Sequence, residues 1–190
     1  MKFRNLVFVA TLAMLFVPHV MSGGPSITQV EKVEVPGIDN FSKIEKTSGF
    51  AVNTIGFGGA TQAVAMDSLK RQGFVTVINL RLDDEENIDL HGNSEAAKAA
   101  GLNYFHLPFD TSAPAKEVVD NFLKTVGNEV NQPVYVHCGS ATRASALWMI
   151  GRVLVDGWEL SAASAEVQKI ARKPDDAIAF ATAYIDSLEK

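Results

Sequence analysis

The stretch Pro133-Val134-Tyr135-Val136-His137-Cys138-Gly139-Ser140-Ala141-Thr142-Arg143 leads without a break into the apolar segment from Ala144 to Val155. A short run of β-formers followed by small residues predicts a buried strand that turns sharply into a helix, with Cys138 at the turn. Small side chains at Gly139, Ser140, Ala141 and Thr142 let successive N–H groups turn inward as an anion-binding nest at the helix N-terminus. A thiolate at Cys138 is stabilised by those dipoles and by Arg143. The Arg143 guanidinium can also hold two oxygens of a bound oxyanion, a geometry that lysine does not match. Nucleophile, cradle and clamp thus fall within six residues.

Working outward, apolar or alternating runs at Phe50 to Ile55, Phe74 to Leu80, Tyr104 to Pro108 and Val134 to His137 read as strands. Helical patterns lie between them, through Ala65, Met66 and Leu69 to Gly73, from Glu95 to Gly101, and through Val118, Val119, Phe122, Leu123 and Val126 to Gly127. Each stops at a glycine suited to a helix C-cap. This alternation predicts a single α/β domain with a mostly parallel central sheet flanked by helices. The last third reads as helical: Ala144 to Val155, Ser161 to Ala171, and a helix opened by Pro174 with Asp175 and Asp176 at its positive end. The stripe Ala177, Ala181, Tyr184, Ile185 and Leu188 reads as core packing. Gly56, Gly58 and Gly59 read as a turn, because no strand-to-helix unit with a following ribose-binding acid frames them as a dinucleotide fingerprint.

The N-terminal 22 residues read as an export signal. Lys2 and Arg4 precede a 12-residue apolar stretch, Leu6 to Val17, broken only by Thr11, and cleavage is expected after Ser22. That stretch is too short to cross ~30 Å of hydrocarbon, so no stable membrane association is expected once the signal is removed, and the protein is expected to be periplasmic or secreted. Residues 23–37 read as a polar lead-in, and 38–190 as the folded domain. The whole chain carries a net charge of −5, which excludes the basic footprint of a nucleic-acid binder. With one cysteine, neither an internal disulfide nor a cysteine-cluster metal site can form. His91 and His106 lack a partner at ligand spacing, so no metal and no other cofactor is expected.

Strand, His-Cys pair, small-residue loop, Arg and helix together resemble the cysteine-based phosphatase and rhodanese superfamily. The segments Thr76 to Arg81, followed by acidic residues, and Asn103 to Asp110 are similar to strands that precede the cysteine in dual-specificity phosphatases. The likeness runs from about Phe41 to Trp158 and is nearest to a bacterial group of phosphatase-like domains also found in β-lactamase hydrolase-like proteins. Like this chain, that group has four residues between Cys and Arg. The resemblance implies a dual-specificity-phosphatase-like fold and hydrolysis of phosphomonoesters through a phosphocysteine. Cys138 is then the nucleophile, Arg143 and the amides of 139–143 the phosphate cradle, and His137 a support for the cysteine loop. Asp110, 28 residues before Cys138, takes the place of the general acid; as a loop aspartate it also reads as a turn former or helix cap. Ala141 stands where the group commonly has glycine, and Ala144 where phosphatases often have a serine or threonine, with Thr142 and Ser145 as the hydroxyls nearby in sequence.

Two rival readings follow from the same loop. Its six-residue length matches rhodaneses, which implies sulfur transfer through a persulfide on Cys138. A third reading is a non-catalytic anion-binding module. The acidic chain fits a small or singly phosphorylated substrate better than a polyphosphate. Arg81 and the acidic run Asp83 to Glu86 read either as a solvated loop or as an ion pair bracing the pocket rim.

Overall fold

The computed structural model describes residues 29–45 and 47–188; the segment 1–22 lies outside them. Six strands form one sheet: β1 (Val30–Lys32), β2 (Ser42–Ile44), β3 (Ile55–Gly58), β4 (Thr76–Asn79), β5 (Asn103–His106) and β6 (Val134–His137). Their order is β1-β2-β3-β6-β4-β5. The last four in that order run parallel, with Gly58, His137 and Asn79 level at the ends of β3, β6 and β4. β1 and β2 add antiparallel strands at one edge.

Six helices complete the domain: α1 (Met66–Arg71), α2 (Leu90–Ala99), α3 (Lys116–Gly127), α4 (Thr142–Leu154), α5 (Leu160–Ile170) and α6 (Pro174–Leu188). The two-residue period of β6 divides the core. Val134 and Val136 join Phe122, Leu147, Val167 and Ala181 of α3 to α6, whereas Tyr135 faces the other way with Met66, Leu69 and Ala97 of α1 and α2. Every residue from Ala144 to Arg152 is buried, so α4 is the central helix and its all-round apolar character follows from that place. None of the helices among the described residues is long and apolar enough to cross a membrane.

Several sequence expectations are corrected. The strand expected over Phe50 to Ile55 shares only Ile55 with β3, which runs on to Gly58. Gly56 and Gly58 lie inside β3 rather than in a turn. A Cβ on Gly56 would come within 2.7 Å of the Phe74 ring, and one on Gly58 would collide with the Tyr135 hydroxyl, so the glycines make room for aromatic rings packed over the strand. The lead-in 23–37 also contains β1, so the sheet begins before residue 38. Its sequence, Val-Glu-Lys, has one apolar residue and carried no strand signal. The glycines at helix ends behave as expected at Gly73 and Gly101, which hold φ of 90° and 73°. Gly127 instead ends within α3.

Candidate active site

Parallel strands of an open α/β sheet present ligands at their carboxyl ends, and β6 delivers Cys138 there, between the ends of β3 and β4. The backbone of the loop is pinned outward. The Cys138 N–H donates to the Gly58 carbonyl (3.2 Å), the Gly139 carbonyl accepts from Ala60 (3.2 Å), and the Ser140 carbonyl accepts from Arg172 (3.4 Å). Ala141 adopts a left-handed conformation, φ 64°, and caps α4. With the carbonyls turned out, no backbone acceptor among the described residues takes the N–H groups of Gly139, Ser140, Thr142 or Arg143. These N–H groups lie at the positive end of α4. The glycine common at position 141 is replaced by Ala141, which accepts the left-handed backbone that glycine would take freely.

Cys138 is 1% exposed at the base of this loop. Arg143 bonds through Nη1 to the carbonyls of Leu80 (3.2 Å) and Phe109 (3.3 Å) and to Glu85 Oε1 at 2.6 Å. Burial opposes its charge, but Glu85 and the nearby Cys138 thiol hold its pKa above the ordinary arginine value. Glu85 is the residue that the sequence left undecided. Its second oxygen accepts from Arg81 Nε at 2.9 Å, and Oε1 also accepts from the Leu82 N–H at 2.8 Å. Burial alone would push its carboxyl up; the bonds from Arg143, Leu82 and Arg81 bring it down to about 2. Arg81 is itself buried and bonded to the carbonyls of Glu86 (2.5 Å) and Asn87 (3.3 Å). The acidic run is thus a brace behind Arg143 at Glu85, whereas Asp83 lies 3.5 Å from His106 Nε2.

The remaining candidate residues separate. His137 is fully buried and stacks on Tyr135 (5.7 Å, 13° between planes). Neither ring nitrogen makes a hydrogen bond of good geometry. Burial, then the positive field of Arg81, lowers its pKa to about 3, with the Cys138 backbone pulling weakly the other way. The ring is packed at the end of β6 against Tyr135. Asp110 stands on the loop after β5, its Oδ1 accepting from the Ser112 hydroxyl (2.7 Å) and N–H (2.8 Å). Those two bonds, in that order, hold its carboxyl below the usual range. The Ser145 hydroxyl donates back to the Thr142 carbonyl at 2.9 Å, while the Ser140 and Thr142 hydroxyls meet at 3.0 Å. Of the two hydroxyls considered for the role vacated at Ala144, only Thr142 lines the open space before Arg143.

That space, about 220 Å³, lies between α4 and α6. Lys173 and Phe180, two of its lining residues, carried no signal in the sequence: one precedes a helix-opening proline and the other lies beside a helical core stripe. A larger groove of about 830 Å³ follows the single segment Lys32 to Phe41, away from Cys138.

TpbA of P. aeruginosa, as a cysteine-to-serine variant in complex with phosphotyrosine, superposes with a TM-score of 0.58 at 20% identity, covering 82% of this chain and 90% of that one. The core catalytic domain of a PP-IP phosphatase from S. cerevisiae, in complex with citrate, gives 0.58 at 19% identity over 77% of this chain and 86% of that one. These likenesses establish the dual-specificity-phosphatase-like fold. In sequence, the β-lactamase hydrolase-like protein of Agrobacterium fabrum is 36% identical over 90 residues, 46% of this chain and 20% of that protein, so the chain spans about a fifth of its relative's length. The model of the phosphatase-like domain of β-lactamase hydrolase-like proteins matches residues 51–155, more than half of the chain and the whole of the cysteine loop with its brace; the chain belongs to that family.

Proposed function

We propose that this protein is an exported cysteine-dependent phosphomonoesterase. The observation that carries the reading is the nest: unclaimed amides, a buried thiol at their base and an arginine braced beside them. The Cys138 thiolate attacks phosphorus, forming an S–P bond as the ester P–O bond breaks. The loop amides and Arg143 hold the non-bridging oxygens, whose charge gathers in the transition state. Asp110 gives its proton to the departing oxygen. Water then displaces Cys138 from phosphorus, releasing inorganic phosphate and restoring the thiolate and a proton. To act as the acid, Asp110 must exchange Ser112 for the leaving oxygen and take up a proton that its present bonds disfavour. Turnover of esters with poor leaving groups should therefore be greatest at acidic pH and fall as pH rises and protonated Asp110 is depleted.

The test is hydrolysis of an aryl phosphate by protein from a periplasmic extract, whose N-terminus at Gly23 checks the export. Cys138→Ser should abolish turnover and keep the fold. Asp110→Asn should slow poor leaving groups by about 10²-fold and activated ones much less, and should flatten the fall of turnover with rising pH. Undiminished hydrolysis by Cys138→Ser, or thiosulfate-to-cyanide transfer in place of phosphate release, overturns the reading.

A further inference from the structure

The open cavity beside the nest has a divided lining. Ala146 of α4 and Ala177 and Phe180 of α6 make an apolar wall, the two alanines fully buried. Lys173 and Asp176 stand exposed at the start of α6. Among the described residues neither of them forms an ion pair, with the other or elsewhere.

Their position is set by the nest itself. The Arg172 N–H donates to the Ser140 carbonyl and the Arg172 guanidinium pairs with Asp39, so the connector between α5 and α6 is tied to the cysteine loop. Lys173 follows directly, and its carbonyl accepts from Ala177 (3.2 Å), which closes the first turn of α6. Asp176, three residues on, shares that face of the turn. Size narrows the occupant. A cavity of roughly 150 Å³ holds benzene, and pockets for drug-sized ligands begin at about 300 Å³. At about 220 Å³ the space suits one substituted ring beyond the phosphate. Phe180, already edge-on to Phe109 at 5.5 Å, offers that ring an aromatic neighbour. A polyanion would bring its further charges against Asp176.

We propose that this cavity is the leaving-group subsite for an aryl phosphate whose far end carries both a carboxylate and an ammonium, as in free O-phosphotyrosine. Lys173 pairs with the carboxylate, Asp176 with the ammonium, and the ring lies against Ala177 and Phe180. The assignment rests on the phosphomonoesterase reading above and deepens it.

The test compares kcat/KM for O-phospho-L-tyrosine, O-phosphotyramine, the phosphate ester of 4-hydroxyphenylacetate, and phenyl phosphate. These carry both charges, the ammonium only, the carboxylate only, and neither. In the unaltered protein O-phosphotyrosine should be the best of the four. Lys173→Met should lower the ratio of O-phosphotyrosine to phenyl phosphate about fivefold, as one exposed ion pair would. It should lower the hydroxyphenylacetate ratio alike and leave the tyramine ratio where it was; Asp176→Asn should do the converse. Both residues are exposed, so the variants keep the fold. Equal kcat/KM for the four esters, ratios that neither variant moves, or an end-blocked phosphotyrosyl peptide that outperforms the free amino acid overturns the subsite and leaves the phosphatase standing. No turnover of any ester by folded protein overturns both.

Discussion

Glu85 shows how one side chain can set the geometry of another. Arg143 reaches over the nest only if its guanidinium is held from behind, and the carboxylate at 2.6 Å does so with help from two backbone carbonyls. A neutral isostere keeps the volume and loses the charge that fixes the fork. Glu85→Gln is expected to lower kcat/KM for aryl phosphates by about tenfold, because displacement of a positioning group by a fraction of an ångström is costly to rate, and to lower the folding midpoint at neutral pH, because Arg81 and Arg143 lose their shared carboxylate. Paired kinetics and chemical denaturation check this: an unchanged kcat/KM would show that Leu80 and Phe109 suffice. The sequence could not choose between a solvated acidic loop and a brace, since Asp83, Asp84, Glu85 and Glu86 are alike in composition and only the path of the loop selects Glu85. By contrast, the placement of Cys138, Arg143 and the small residues between them on a strand-to-helix loop was legible, because it depends on the size and polarity of adjacent positions.

At the scale of elements, α4 is tied to α5 by a buried charged cluster. Arg152 lies between the rings of Trp148 and Trp158, 4.2 and 4.1 Å from their centroids. It pairs with Asp156 (2.9 Å) and Glu166 (3.2 Å), and Trp148 Nε1 donates to the same glutamate at 2.5 Å. Removing one partner from such a buried set leaves a desolvated charge behind. Glu166→Ala is expected to cost about 3–5 kcal/mol of stability. Urea denaturation measures it, and a loss below 1 kcal/mol would mean that Arg152 reaches water or Asp156 alone satisfies it. The strands and helices around this cluster were largely readable, since α3 and α6 carry helical periods, α4 is a long apolar run and Val134 to Val136 of β6 are continuously apolar. β3 was misplaced because glycine ordinarily punctuates, and only the tertiary packing of Phe74 and Tyr135 makes it a strand residue there.

For the whole molecule, acid stability follows from two buried or half-buried groups at the site. His137 has a folded pKa near 3, below its unfolded value of about 6.5, so the unfolded chain binds the proton first and stability falls as pH drops from about 6.5 towards 3. Glu85, lowered to about 2, contributes stability that is complete above its unfolded value of about 4.5 and lost between there and about 2. Denaturation midpoints measured from pH 7 downward should therefore begin to fall near pH 6.5, and His137→Asn should remove the upper part of the slope; an identical slope in that variant would assign it to other groups. The boundary of the domain is also a property of the whole sheet. β1 is three residues long with Glu31 and Lys32 exposed, and Lys43 of β2 pairs with Glu31 at 3.3 Å. A chain shortened to 38–190 would lose this charged cover and leave the backbone of β2 as a bare sheet margin, the kind of template on which copies join edge to edge and aggregate.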